Sequence, residues 1–63
     1  MKNNIRSCRK KIGITQENLA LAVDVTRQTI NAIENNKYNP TLELAMKLAK
    51  FLDVRVEDLF FLE

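Results

Sequence analysis

Apolar residues recur at Ile5, Cys8 and Ile12, the three- and four-residue spacing of one face of an α-helix. This predicts a helix over residues 4–12 whose other face carries Arg6, Lys10 and Lys11, ended by Gly13. Thr15 suits the N-cap of a second, short helix, in which Leu19, Ala20 and Val23 form a narrow stripe until Asp24 breaks the pattern. Thr26 caps a third helix with Ile30 and Ile33 facing inward, which leaves Arg27, Gln28, Asn31 and Ala32 on the outward face of its first two turns. The stretch from Glu34 to Pro40 lacks periodicity and is rich in turn formers, so an ordered loop is expected. Beyond Thr41, the positions Leu42, Ala45, Leu48, Ala49 and Leu52 give a fourth helix, closed by Asp53. Val54 to Leu59 is expected to form one further short turn of helix, starting at Arg55 or Val56, with Glu57 and Asp58 favourably near its N-terminus. The final Phe60-Phe61-Leu62-Glu63 is too apolar to be left in water. It returns to the core, pairs as an edge strand with Met1 to Asn4, or buries against a second copy.

A chain of 63 residues, 46% hydrophobic and 29% charged with one Gly and one Pro, is a single small all-α domain spanning 1–63. With no His and one Cys, it offers no Cys/His zinc cluster, no histidine base and no phosphate-cradling glycine loop, so no enzyme activity, metal or cofactor is expected. Cys8 cannot close a disulfide within the chain, and no secretory leader pattern opens it, which points to the cytoplasm. No apolar run is long enough to span a membrane. Charge is divided unevenly. Residues 1–40 hold seven basic side chains against three acidic ones, net +4, whereas residues 41–63 hold three against five, net −2. The basic half suits a polyanion.

Two short helices joined by about three residues, with a small residue in the first and polar residues leading the second, outline a helix-turn-helix. Ala20 is the small residue at the crossing, and Val25, Ile30 and Ile33 form the apolar wedge that fixes it. The leading turn of the second helix can then enter a major groove about 12 Å wide. Arg27 has the donors for guanine O6 and N7, and Gln28 and Asn31 suit adenine N6 and N7. Any amphipathic surface helix shows a polar face, so the assignment of these residues as base readers rests on their context.

That context is specific. The stretch Ile14-Thr15-Gln16-Glu17-Asn18-Leu19-Ala20 and the run from Val25 to Leu42 closely resemble the XRE family, the Cro- and phage-repressor-like helix-turn-helix transcriptional regulators, in their short single-domain branch. The resemblance runs from about Ile5 to Phe60. It implies a lambda-repressor-like bundle of five short helices, the motif lying at about residues 15–35, with the third helix as recognition helix. It implies base contacts from Arg27, Gln28 and Asn31, with the Ala32 methyl able to touch a thymine methyl. Gln16, at the N-terminus of the second helix, is expected to donate to a DNA phosphate. Thr26 and Thr29 are further phosphate candidates, as are Asn35, Asn36, Lys37 and Tyr38 in the loop after the recognition helix. Arg9 and Glu34 occupy the positions of a structural ion pair. Asp24 stands where such turns often carry Gly, which Asp tolerates because it visits positive φ. Cys8 stands where a leucine is common and is read as a small buried hydrophobe.

One recognition helix reads few base pairs, so a homodimer on an inverted-repeat operator is expected, with half-sites about 34 Å apart. Leu44, Val54, Val56, Leu59, Phe60 and Phe61, with Phe51 and Leu62, supply more apolar surface than so small a core absorbs. These are the candidate dimer interface. The expected function is a transcriptional regulator, commonly a repressor, acting on double-stranded DNA at the nucleoid. The alternative is an antitoxin-like module that covers a protein partner.

Overall fold

The computed structural model describes residues 1–62. In chain order it contains β1 (Lys2–Asn3), α1 (Ile5–Ile12), α2 (Gln16–Ala22), α3 (Arg27–Glu34), α4 (Leu42–Leu52), α5 (Val56–Leu59) and β2 (Phe60–Phe61). The five helices of the expected bundle are therefore present, with one small antiparallel sheet in which Lys2 faces Phe61 and Asn3 faces Phe60.

The helix starts follow from three threonines. The hydroxyls of Thr15, Thr26 and Thr41 accept from the backbone N–H groups of Asn18, Thr29 and Leu44 at 3.0, 3.2 and 3.2 Å, satisfying donors that a helix leaves orphaned. In α1 the corresponding service comes from Asn3, whose Oδ1 accepts from the Ile5 N–H at 3.1 Å.

The helix ends share one device. Gly13, Asp24, Asn36 and Asp53 all have positive φ, between 59° and 76°. Each is followed by a residue whose N–H reaches back into the last turn. Ile14 bonds Arg9 O, Val25 bonds Ala20 O, Lys37 bonds Ala32 O and Val54 bonds Ala49 O, at 2.9–3.2 Å. This is the Schellman closure, which usually adds an apolar contact from the residue after the left-handed one. Ile14, Val25 and Val54 make that contact, packing against the core. Lys37 occupies the same position after α3 and is exposed, so this one closure delivers a cation to the surface.

Every helix contributes at least one fully buried side chain to a single core: Ile5 from α1, Leu19 from α2, Ile30 and Ile33 from α3, Leu48 from α4 and Leu59 from α5. Burial of this kind stabilises by roughly 1.5–3 kcal/mol per large side chain. Ala20 is 2% exposed at the crossing of α2 and α3, where a bulkier residue would push the two apart. Of the three fates open to the C-terminal run, pairing with the N-terminal segment is the one adopted, and Phe60 also returns to the core. The pairing is extended by the Asn4 N–H bonding Leu59 O at 2.9 Å. Glu63 lies outside the described residues.

Three expectations need correction. Ile12 is 51% exposed, because it is the last residue of α1 and the chain turns away at Gly13 before anything covers it. Leu42 is 73% exposed whereas Leu44 is buried. The core face of α4 is centred on Ala45, Leu48 and Leu52, and Leu42 lies about 90° from that centre in the first turn. Leu44, Leu59 and Phe60, expected at a dimer surface, belong to the core of one chain, because the terminal pairing folds α5 and β2 over it. Val54 and Val56 are half-buried, and Phe61, Phe51 and Leu62 are exposed.

Asp53 carries a negative charge at the negative end of α4 while holding the left-handed conformation. Asp53→Asn keeps that conformation and removes the repulsion, so it is expected to stabilise by roughly 0.3–1 kcal/mol at low ionic strength. Asp53→Ala forfeits the tolerance of positive φ and is expected to destabilise by about 1 kcal/mol. Urea unfolding of the two variants in low and high salt checks both signs.

Candidate nucleic-acid interface

The turn between α2 and α3 is built by the Asp24 closure on one side and the Thr26 cap on the other. The Thr26 and Thr29 hydroxyls lie 3.0 Å apart in a hydrogen bond of their own, so the two expected phosphate ligands also serve the start of α3. Thr26 is exposed and Thr29 half-buried. With Ile30 and Ile33 locked in the core, helical geometry turns Arg27, Asn31, Gln28 and Ala32 outward over an arc of about 140°. Arg27, Gln28 and Asn31 are exposed, and Ala32 is half-buried at the edge. The first three line one open concavity on the surface.

The loop after α3 is held from two sides. The Asn35 side-chain amide donates to Asn31 O at 2.9 Å. Asn3 Nδ2 donates to Ile33 O at 2.8 Å and to Asn36 Oδ1 at 3.2 Å. Between these anchors Asn35, Asn36, Lys37 and Tyr38 are exposed, and Lys37 adds a positive charge to the loop.

The last residue of α3 has the most constrained side chain of the site. The Glu34 side chain is fully buried, and the Arg9 side chain beside it is only 12% exposed. Arg9 Nε donates to Oε2 at 2.9 Å and Arg9 Nη2 to Oε1 at 3.2 Å. The third nitrogen of Arg9, Nη1, donates to Ile14 O at 3.0 Å, so one guanidinium joins the end of α3, α1 and the entry to α2. Gln16 Nε2 and Arg6 Nε also donate to Glu34 Oε1, at 3.1 and 3.4 Å. Burial alone would raise the Glu34 pKa. The hydrogen bonds from Arg9, Gln16 and Arg6, with the charge of Arg9, outweigh it and hold the carboxyl below its ordinary value of 4.5.

Gln16 is half-buried and turned toward Glu34, so the donor expected at a phosphate is partly committed within the protein. Arg6, read from sequence as part of a solvated face, reaches Glu34 and also Asn35 Oδ1 at 3.5 Å. Its i, i+3 spacing from Arg9 was the available signal, since that spacing puts both on one side of the helix. Cys8 is a half-buried free thiol packed against the core. Among the described residues no group of His, Cys, Asp or Glu could hold a metal ion, and no helix is long and apolar enough to cross a membrane.

Two helices packed through an alanine crossing, with a polar arc leading the second, define a helix-turn-helix protein. The family model described as helix-turn-helix matches residues 5–59. An uncharacterized HTH-type transcriptional regulator of Methanocaldococcus jannaschii is 51% identical over 63 residues, covering 100% of this chain and 96% of that protein. Two solved structures are similar. The restriction-modification controller protein C.AhdI from Aeromonas hydrophila has a TM-score of 0.82 at 32% identity, covering 90% of this chain and 83% of that one. The N-terminal DNA binding domain of SinR from Bacillus subtilis has a TM-score of 0.77 at 31% identity, covering 84% and 78%. The chain belongs to the XRE-type helix-turn-helix family, a class of DNA-binding transcriptional regulators and not of enzymes.

Breaking the buried pair strands a charge. Arg9→Ala is expected to cost about 3–5 kcal/mol, a fall in melting midpoint of more than about 10 °C for a chain of this size; an unchanged midpoint removes the pair from the stabilising set. The depressed carboxyl also sets an acid dependence. Its contribution is complete above the ordinary value of 4.5 and is lost as pH falls through the lower folded value. Glu34→Gln lacks that titration, so its denaturation midpoint is expected to fall less between pH 5 and pH 2 than that of the wild-type chain.

Proposed function

We propose that this chain binds duplex DNA sequence-specifically as a homodimer on an inverted-repeat operator and acts there as a repressor. The observation that carries the reading is the exposed arc of α3, which aims Arg27, Gln28, Asn31 and the Ala32 methyl away from the core. Arg27 suits guanine, and Gln28 and Asn31 suit adenine. Thr26, Thr29 and Gln16 at the helix starts, with Asn35, Asn36, Lys37 and Tyr38 in the anchored loop, are the phosphate-side residues, which fix register rather than sequence. The similarity to a domain described as DNA binding and to an HTH-type regulator supports the same reading.

The size of one chain supports the dimeric reading. One chain measures 27 × 21 × 19 Å, short of the roughly 34 Å that separates half-sites one helical turn apart. Two copies side by side span it. The apolar surface available to a second copy is the groove between α4 and the start of α5, where the exposed Leu42 and Met46 lie beside the half-buried Val54 and Val56, continued by Leu62; Phe51 is exposed on the opposite flank of α4 and Phe61 on β2. Bound over a promoter, such a dimer represses by excluding polymerase, with the nucleoid in the cytoplasm as its place of action. The same apolar face keeps a second reading in view, an antitoxin-like module whose α4 side covers a protein partner.

Selection from a random duplex pool is expected to enrich an inverted repeat with half-sites one turn apart, and sedimentation at micromolar concentration is expected to give twice the 7.3 kDa chain mass. Weak binding without a motif, or a monomer, favours the protein-partner reading. Gln28→Ala is expected to lose about 1–3 kcal/mol of preference at one base step. Lys37→Ala is expected to weaken all sequences alike and to reduce the magnitude of the salt slope by about 0.9, as a salt titration of affinity reads directly.

A further inference from the structure

Five side chains at the seam of α1, α2 and α3 close a ring of hydrogen bonds. Arg6 Nη2 donates to Asn35 Oδ1 at 3.5 Å, Asn35 Nδ2 to Asn31 Oδ1 at 3.3 Å, and Asn31 Nδ2 to Gln16 Oε1 at 3.4 Å. Gln16 Nε2 donates to Glu34 Oε1 at 3.1 Å, and Arg6 Nε closes the ring on the same oxygen at 3.4 Å.

The three amides in this ring have oxygen and nitrogen ends of almost the same size, so shape alone would let each turn over. The two ionic members remove that freedom together with the Asn31 backbone carbonyl, which accepts from Asn35 Nδ2 at 2.9 Å. A guanidinium has only donors, and an ionised carboxylate has only acceptors. Glu34 therefore takes the nitrogen of Gln16, which turns the Gln16 oxygen toward Asn31 and calls for the Asn31 nitrogen. From the other side the Asn31 backbone carbonyl takes the Asn35 nitrogen at 2.9 Å and Arg6 takes the Asn35 oxygen at 3.5 Å, which together hold that nitrogen against the Asn31 side-chain oxygen. Both paths demand the same orientation of Asn31. Turning its amide over would set nitrogen against nitrogen at Asn35 and oxygen against oxygen at Gln16. The bonds at 3.3–3.5 Å are long, so the selection rests on the sign of the partial charges rather than on the strength of any one bond.

Asn31 remains exposed, with one amide hydrogen and one oxygen lone pair to spare. Adenine presents an acceptor at N7 beside a donor at N6 in the major groove, an ordered pair that an amide matches in one direction. An amide whose order is fixed before binding meets that pair without further ordering, and it meets the reversed order with two repulsive contacts.

We infer that Arg6 and Glu34, neither of which lies on the exposed arc of α3, are specificity-positioning residues: through Asn35 and Gln16 they fix the order in which Asn31 presents its oxygen and nitrogen to the groove. The inference rests on the proposed role of Asn31 as a base reader and goes beyond it by placing the selectivity of that reader in α1 and at the end of α3.

The test is selection from a random duplex pool with the wild-type chain, Asn31→Ala, Asn35→Ala and Arg6→Met, reading relative preference at each base step. Asn31→Ala is expected to flatten one step. Asn35→Ala and Arg6→Met are expected to reduce preference at that same step by about three- to tenfold while leaving the ratios at the other steps intact. If Asn31→Ala flattens a step that both other variants retain, the ring does not position the reader and the inference falls while Asn31 stands as a reader. If Asn31→Ala changes no step, the reader assignment falls and the inference with it. The Arg6 side chain is 54% exposed, so Arg6→Met decides the matter should Asn35→Ala fail to fold.

Discussion

A carboxylate with no exposed surface, at the last residue of α3, is the constraint on which the rest of the molecule turns. Glu34 sits where α3 ends, α1 passes and α2 begins, and it is satisfied by groups from both other helices. A charge in that position is costly unless fully paired, so the three helices are tied to one mutual arrangement. Arg9 extends the tie by holding Ile14 O in the turn before α2. The apolar wedge of Ile30 and Ile33 supplies attraction without direction, and Glu34 supplies the direction. The outward aim of Arg27, Gln28 and Asn31 is the consequence.

The ends of the helices show how so short a chain takes a defined shape with a single glycine. Three of the four left-handed closures use Asp or Asn, residues that pass through that region more easily than other side chains. Where the following residue is apolar, the closure pins the turn to the core. After α3 it is Lys37, and the loop leaves the core carrying exposed polar groups. One local rule thus yields three turns that build the fold and one that builds the site.

Much of this was legible in the sequence because it is local. Thr15, Thr26 and Thr41 announce helix starts, Asp24 announces a turn needing positive φ, and the spacing of Leu19, Ala20, Ile30 and Ile33 gives the motif. The misplaced residues sit at the ends of stripes: Ile12 and Leu42 have the right period but lie beyond the part of the helix that another element covers. Leu44, Leu59 and Phe60 are buried where the sequence suggests an outward face, because periodicity does not reveal how far the paired termini fold over the core. The reach of Arg6 to Asn35, and the turning of Gln16 from solvent toward Glu34, depend on side chains from distant segments meeting in space. No spacing rule along one helix encodes that.

The central claim is that the face formed by α3 and the loop after it meets duplex DNA, with Glu34 as its internal support. Titrating the 15N-labelled chain with a duplex containing its selected site tests this most directly, residue by residue. The expected amide shifts concentrate at Gln16 and over residues 26–38, leaving the middle of α4 unmoved except where a second copy packs. Shifts centred on α4 and α5 with residues 26–38 silent would contradict it.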